Sequence, residues 1–462
     1  MQPVDKYLKL PRHLLPPAPD AYLVGGAVRD LALGRQPADY DVAVPGDAQR
    51  FARFLADRAG GGRVVELGRE AFALYRVVSA TGVWIDITPL QQNDLETDLH
   101  TRDFTINALA CRLDSGEIID PLAGMKDLQR RMVRMVSAAN LQNDPVRLLR
   151  AHRLAAVLDF QIAPATDRAI HRYAHLIRNA AGERIWTELQ SMLDCPTAAD
   201  RVRAMADDGL LTALLPELTP LRDCGPDRHH AYDALTHTLK AFKALEELLF
   251  KPAQQLPPAA ADFVAGLAPP ARHALQLAML LHDIGKPDSR AKGPDGAYHY
   301  HGHAASGAQL ADSVLRRLRA PNRIRNAACF LIRHHQRPLH LFLNYSTRAE
   351  GRFFRVCGAQ TPSILLHAIA DTMGKKPPPT PAQDPLQAFL SDRLTHYVTE
   401  IQHRRREPPL LTGRDLIDHF GLKPSARFAQ LLDAVEEARL AGQLRDKPSA
   451  LRWMKALLNN QH

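Results

Sequence analysis

The stretch Tyr22-Leu-Val-Gly-Gly-Ala-Val-Arg-Asp30, followed by Asp39-Tyr-Asp-Val-Ala-Val44, constrains this chain more than any other. Its first part reads as a short apolar strand, Tyr22 to Val24, turning at Gly25-Gly26 into a helix that carries Arg29 and Asp30. Two glycines at such a turn let backbone N–H groups approach an anion, and a helix N-terminus favours phosphate. The second part reads as another strand, holding Asp39 and Asp41. Side chains alternate along a strand, so both carboxylates emerge on one face with Cα atoms roughly 7 Å apart. That suits two carboxylates sharing divalent cations over a triphosphate, because in-line displacement needs metal ions on both the attacking and the leaving oxygen. A glycine pair alone is weak evidence, and Asp-x-Asp is common on solvated strands. Together, in this order, they point to nucleotidyl transfer.

A chain of 462 residues is too long for one core, so three or four domains are expected. Lys plus Arg exceed Asp plus Glu, 59 against 50, a balance that suits a polyanionic partner without requiring one. The cysteines (Cys111, Cys195, Cys224, Cys329, Cys357) are scattered and form no CxxC pair. They read as thiols in a reducing compartment rather than a disulfide framework or a zinc ribbon. Met1 to Pro16 shows no signal-peptide core, and no apolar run approaches a membrane span. The cytoplasm is the expected location.

Further along, Ala48 to Arg58 reads as helix, and Gly60 to Gly62 opens β segments at Arg63–Val65, Phe72–Val78 and Val83–Ile87. Asp86, inside the last of these, either points to solvent or serves as a third carboxylate beside Asp39 and Asp41. Arg102-Asp-Phe-Thr-Ile-Asn-Ala-Leu109 follows an acidic segment, Asp94 to Asp98. From Asp144 the chain reads as helix, with Pro145 early in it and Asp144 and Arg147 on one face. Taken alone, this is either a helix-start acid with a nearby arginine or a reader of base edges. A fixed carboxylate beside a fixed guanidinium complements the donor and acceptor order that cytosine and adenine share, and mismatches uracil and guanine. Asn179 to Leu193 reads as amphipathic helix and Asp207 to Leu211 as a helix end. Arg150, Arg153, Arg201 and Arg203 are either RNA contacts or ordinary surface charges.

Many of the 21 histidines fall in the next region. His237 lies in a helical segment, Tyr232 to Leu249, and a Pro/Ala-rich linker follows around Leu256 to Pro270. An apolar helix, Leu275 to Leu281, leads into His282-Asp-Ile-Gly-Lys286. His299, His301, His303, His334-His335 and Asp371 come after it. Imidazoles with carboxylates suit a transition-metal ion that activates water against a phosphoester. Lys375 to Pro381 is a stiff linker. Helical patterns then occupy Pro385–Arg404, the stretch from Gly413 after a Thr412 cap, and Leu451–Leu458.

The motifs GGAVRD, DYDVAV, RDFTINAL and DPVRLLRAHRLA, in this order between Gly25 and Ala155, resemble the class II tRNA nucleotidyltransferases and their bacterial poly(A) polymerase relatives. These belong to the polymerase-β nucleotidyltransferase superfamily. The resemblance implies an α/β head with a mixed sheet over 1–137 and an all-α neck and body over 138–230. An all-α HD domain over 231–375 and a helical tail over 376–462 would follow. It implies Mg²⁺ on Asp39 and Asp41, with Asp86 the candidate third carboxylate, and a triphosphate held by Gly25, Gly26 and Arg29. Arg102, Asp103 and Asn107 would line the sugar and phosphates. Asp144 and Arg147 would select CTP and ATP, with Arg150 and Arg153 beside them. Two departures stand out. Thr101 replaces a second arginine, so one phosphate contact is either missing or supplied elsewhere, and Asn143 replaces a glutamate whose loss is expected to loosen Arg147.

The His/His-Asp/Asp pattern resembles the HD superfamily of metal phosphohydrolases. That implies a Ni²⁺, Co²⁺ or Mn²⁺ site of His237, His282, Asp283 and Asp371, with His303 and His335 as second-metal ligands or phosphate contacts. His299, His301 and His334 would be bystanders. The implied activity is template-independent addition of C and A from CTP and ATP to tRNA 3′ ends, as CCA or only its CC or A part. Phosphatase and 2′,3′-cyclic phosphodiesterase activity in the HD domain, or a degenerate HD fold kept for structure, would accompany it. A loop within Ala59 to Phe72 is expected to set how much is added, and the tail to touch the tRNA elbow. The rival readings are a poly(A) polymerase, an HD phosphohydrolase with an inactive head, and a non-enzymatic RNA-binding protein.

Overall fold

The computed structural model describes residues 6–58, 62–67, 74–79, 82–225, 232–294, 298–375 and 384–459. The chain divides into two compact units: Met1–Met192 with Ala204–Leu214, and Leu193–Arg203 with Leu215–His462.

The first unit is built on a seven-stranded sheet. Its strands are β1 (Tyr22–Val24), β2 (Tyr40–Val44), β3 (Arg63–Leu67), β4 (Leu74–Val78), β5 (Trp84–Pro89), β6 (Ala110–Arg112) and β7 (Ile118–Ile119), in the order β3-β4-β5-β2-β1-β6-β7. The sheet is mixed: β2 and β5 run parallel and the other neighbours antiparallel. Strand alternation gives it two different faces. Tyr40, Val42, Val44, Val77, Ile85 and Ile87 are buried on one, where helix Ala48–Arg58 packs on β4 and β5. On the other face the register lines up Asp41 with Asp86, Asp86 with Arg76 and Arg76 with Val65. Around β1, Val24, Ala43, Leu90, Leu99, Ala108 and Ala110 form a core cluster on that second face. Toward β3, Val65 is 38% and Trp84 50% exposed on that face.

Some boundaries differ from the sequence reading. Asp39 sits one residue before β2 rather than within it. The helix expected from Asp144 starts at Val146; Asp144 has φ −137° and ψ 86°, as expected for a residue whose following proline excludes the helical region. The helix containing Trp186 starts at Gly182, after a 3-10 segment Ala174–Asn179.

In the second unit, the proline- and alanine-rich stretch 256–270 is not a linker. Helices Pro258–Ala265 and Pro269–Leu281 each begin on proline, which costs little in a first turn, and the former buries Ala260, Ala261 and Val264. Helices Ala234–Phe250, His303–Arg317, Asn322–His334 and Thr361–Lys375 complete the surroundings of the histidines. Ala234–Phe250 packs closely on Thr361–Lys375 through Gly374, where a Cβ would lie 2.8 Å from that of Ala241. The C-terminal helices Gly413–Phe420, Ala426–Leu440 and Lys447–Asn459 share a core of Leu416, Leu431, Val435 and Met454. Thr412 caps the first of them in a capping box with Asp415. Of the expected loop at 59–72, Arg63–Leu67 form β3 directly after Gly62 and the rest lie outside the described residues, as does 376–381. Among the described residues no helix is long and apolar enough to cross a membrane.

Candidate active site and metal centre

Gly25 holds φ at +74°, a backbone that L side chains rarely adopt, and a Cβ there would lie 2.7 Å from Arg102 Nη1 and 3.8 Å from Asp41 Oδ2. The glycine turn therefore sits directly against both groups. From it runs a chain of hydrogen bonds. Arg29 Nη1 donates to Asn107 Oδ1 at 2.6 Å, and Asn107 Nδ2 to Asp103 Oδ1 at 3.0 Å. Arg150 Nη1 donates to Asp103 Oδ2 at 3.2 Å. Glu188 accepts from Arg150 Nε and Arg153 Nε, both at 2.8 Å. Arg102 is steadied by Asp98 at 3.0 Å, one helical turn back. Glu188 and Asp98 escaped the sequence reading, since acids on helices read as solvated by default.

Asp41 and Asp86 face each other across β2 and β5. Burial, with the nearby charges of Asp39 and Asp86, pushes the Asp41 carboxyl up to about 6 against the opposing pull of Arg102 and Arg76. Asp86 is buried, which removes the solvent-facing alternative, and Arg76 grips both its oxygens at 2.7 Å. Asp39 is exposed at the mouth of this group. Arg76 was also missed, because strand register cannot be read from a lone arginine.

Arg184 holds Asp144 in a bidentate pair at 2.9 and 2.7 Å. Burial would raise the Asp144 carboxyl, but Arg184 and Arg147 hold it below the usual carboxylate range. Arg147 Nε lies 3.4 Å from Asp144 Oδ2. Its Nη1 donates to the carbonyls of Thr101 at 2.9 Å and Asn140 at 3.3 Å. The loosening expected from Asn143 is thus countered by main-chain acceptors. Thr101 turns its hydroxyl to the Asp98 carbonyl at 2.8 Å. Arg201 and Arg203 lie on helix Ala198–Asp207.

In the second unit six predicted ligands form two groups, His237/His282/Asp371 and Asp283/His303/His335, each with its ligand atoms within 4.8 Å of one another. His237 Nε2 lies 2.8 Å from Asp371 Oδ1, and His282 Nε2 3.4 Å from the same oxygen. His282, His303 and His335 each donate Nδ1–H to the carbonyl three residues back: Met279 at 2.9 Å, Tyr300 at 2.7 Å and Ile332 at 2.7 Å. For His303 and His335 that fixes the tautomer and aims an unprotonated Nε2 inward, whereas Asp283 and Asp371 beside the His282 Nε2 push that ring's pKa up to about 10 against its burial. His303 Nε2 and His335 Nε2 lie 3.2 Å apart. Burial lowers the pKa of both rings, keeping them neutral. A donor set of this kind fits a divalent cation. Lys286 contacts Asp283 at 2.7 Å and Lys375 contacts Asp371 at 2.8 Å. His299 and His301 stack on each other at 5.6 Å, while His334 accepts from Arg337. His367, not singled out by sequence, is buried with its ring 5.3 Å from that of His282.

Residues 21–134 match the family model of the Poly A polymerase head domain, 159–221 that of the probable RNA- and SrmB-binding site of polymerase A, and 235–373 that of the HD domain. The chain is 35% identical to an A-adding tRNA nucleotidyltransferase of Deinococcus radiodurans, over 93% of its own length and 94% of the relative's. It is 31% identical to a CC-adding tRNA nucleotidyltransferase of Synechocystis sp., over 96% and 94%. The fold matches the Thermotoga maritima CCA-adding enzyme complexed with tRNA at a TM-score of 0.65 and 22% identity, covering 95% of this chain and 91% of that one.

Proposed function

Because the chain belongs to the family of tRNA nucleotidyltransferases and bacterial poly(A) polymerases, we propose that it adds C and A nucleotides from CTP and ATP to the 3′ end of tRNA without a template. The observation that carries this is Asp41 lying between the Gly25 turn and Asp86, with the Asp144/Arg147 pair in the same unit. In this reading the RNA 3′-oxygen attacks the α-phosphorus, the bond from that phosphorus to the β-phosphate oxygen breaks, and pyrophosphate leaves. Mg²⁺ held by Asp39 and Asp41, with Asp86 beside them, would lower the pKa of the 3′-hydroxyl and steady the leaving group. Gly25, Gly26 and Arg29 bind the leaving phosphates. Arg102, Asp103 and Asn107 line the sugar and phosphates, while Arg150 and Arg153 brace that wall through Glu188. Asp144 and Arg147 read the base edge.

In this reading the chain divides into head (1–137), neck and body (138–230), HD domain (231–375) and tail (376–462), the first three supported by the family matches over 21–134, 159–221 and 235–373. In the HD domain His237, His282, Asp283 and Asp371 would hold Ni²⁺, Co²⁺ or Mn²⁺, which would activate water against a phosphoester. His303 and His335 suit a second such ion. A reaction of this kind belongs in the cytoplasm.

The deciding experiment supplies tRNAs ending before CCA, after C and after CC with defined nucleotides. Extension by CTP and ATP supports the proposal; long tracts from ATP alone would favour a poly(A) polymerase. Arg147→Ala is expected to lower CTP and ATP incorporation by about 10-fold or more while UTP misincorporation falls less, since one charge-assisted base contact is worth about 1.5–3 kcal/mol. An unchanged nucleotide preference would remove Arg147 from the base-reading role.

A further inference from the structure

We propose that Trp84, tied to the carboxylates through Arg76, is the platform on which the 3′-terminal nucleoside of the acceptor RNA stacks while its hydroxyl attacks. This rests on the nucleotidyl-transfer reading and adds the place where the second substrate is held. Trp84 opens β5 two residues before Asp86, so both side chains emerge on one face. The register pairs Tyr40 with Ile85 on parallel strands, and Asp39 and Trp84 are the residues that precede those two in the chain. The Arg76 guanidinium lies 4.5 Å from the Trp84 ring centroid while gripping Asp86. A single arginine thus fixes the ring relative to a reacting-site carboxylate, yet half of Trp84 remains open to solvent.

The two sides of Asp41 decide what occupies that ring. Gly25, Arg29 and Arg102 lie on its β1 side, beside the core cluster that covers the sheet there. In-line displacement keeps the attacking oxygen opposite the leaving pyrophosphate, which places the RNA end over β5 and β4. That side offers an exposed indole with exposed Val65 and Arg63 beyond it. An apolar ring flanked by guanidinium groups complements a nucleoside followed by phosphates. Stacking uses the π-face that every base has, so it tolerates any terminal base. An enzyme that extends ends of successively different identity needs that tolerance.

The test uses the full chain and an acceptor minihelix carrying 2-aminopurine as its 3′-terminal base. Wild type should quench the probe on binding. Trp84→Ala should lose the quench and raise KM for the RNA about 10-fold, the scale of one base–aromatic stack, with KM for CTP unchanged. Trp84→Phe should keep most of both, and Trp84→Leu should behave like alanine. Full quenching by Trp84→Ala, equal performance by leucine and phenylalanine, or a matching rise in KM for CTP with a lower melting temperature would each overturn the platform. If wild type binds and quenches the RNA but adds no nucleotide, the transfer reading fails while the platform stands.

Discussion

Asp41→Asn should lower nucleotide addition on the order of 10³-fold and, in the same protein, raise the melting temperature of the metal-free chain at neutral pH. The first effect follows from losing a carboxylate proposed to hold the ion that stabilises the transition state by several kcal/mol. The second follows from the environment of Asp41. Its folded pKa is raised to about 6 from 3.8, so ionising it works against folding. The stability it lends is full below the unfolded pKa and lost as pH rises through about 6. Asparagine carries no charge and avoids that loss, so the variant's gain on wild type grows from about pH 4 to about pH 6 and is full above that. A shift of this size corresponds to about 3 kcal/mol at most, and the partial exposure of the site reduces it to about 1–2 kcal/mol, a few degrees for a domain of this size. Thermal melts in EDTA between pH 4 and 8, run beside incorporation assays, give the answer. A variant that melts below wild type at pH 8, or still adds nucleotides, would show that this carboxylate is neither strained nor needed. Added Mg²⁺ should stabilise wild type and leave the variant unmoved.

Loading the histidine centre should have the next largest effect. Ni²⁺, Co²⁺ or Mn²⁺ at about 100 times its dissociation constant contributes about 2.7 kcal/mol to the folded state. The metal-free protein should therefore melt several degrees higher once loaded. His237→Ala and His303→Ala separate the two ligand groups. Each should lower the bound-metal stoichiometry measured by elemental analysis, and His237→Ala should also abolish phosphoester hydrolysis while sparing nucleotide addition. Wild type that gains no stability from any of the three ions, and retains none through gel filtration, would leave these histidines a structural role alone.

What could be read from sequence divides along a physical line. The glycine turn and Asp41 were legible because a strand, a turn and a short helix are local events with their own residue chemistry. The His237–Asp371 contact spans 134 positions, yet it was legible too, because the family resemblance supplied the pairing that local chemistry cannot. Asp86 stayed ambiguous until strand register was known, and register depends on pairings invisible from one strand. Arg76, Arg184 and Glu188 look like any charged residue on an element's surface. They acquire meaning only when Asp86, Asp144 and the arginines Arg150 and Arg153 come to face them. The stretch 256–270 misled for the opposite reason: proline marks a helix's first turn as readily as its absence.

The three imidazoles locked by carbonyls three residues back carry a consequence for how this centre can be lost. The carbonyls of Met279 and Ile332 belong to the closing turns of Pro269–Leu281 and Asn322–His334. The orientation of these rings is thus set by the coiling of the backbone, not by neighbouring polar side chains. Drift in those neighbours leaves it intact, whereas a substitution that frays either closing turn would disarm the centre with every ligand still in the sequence.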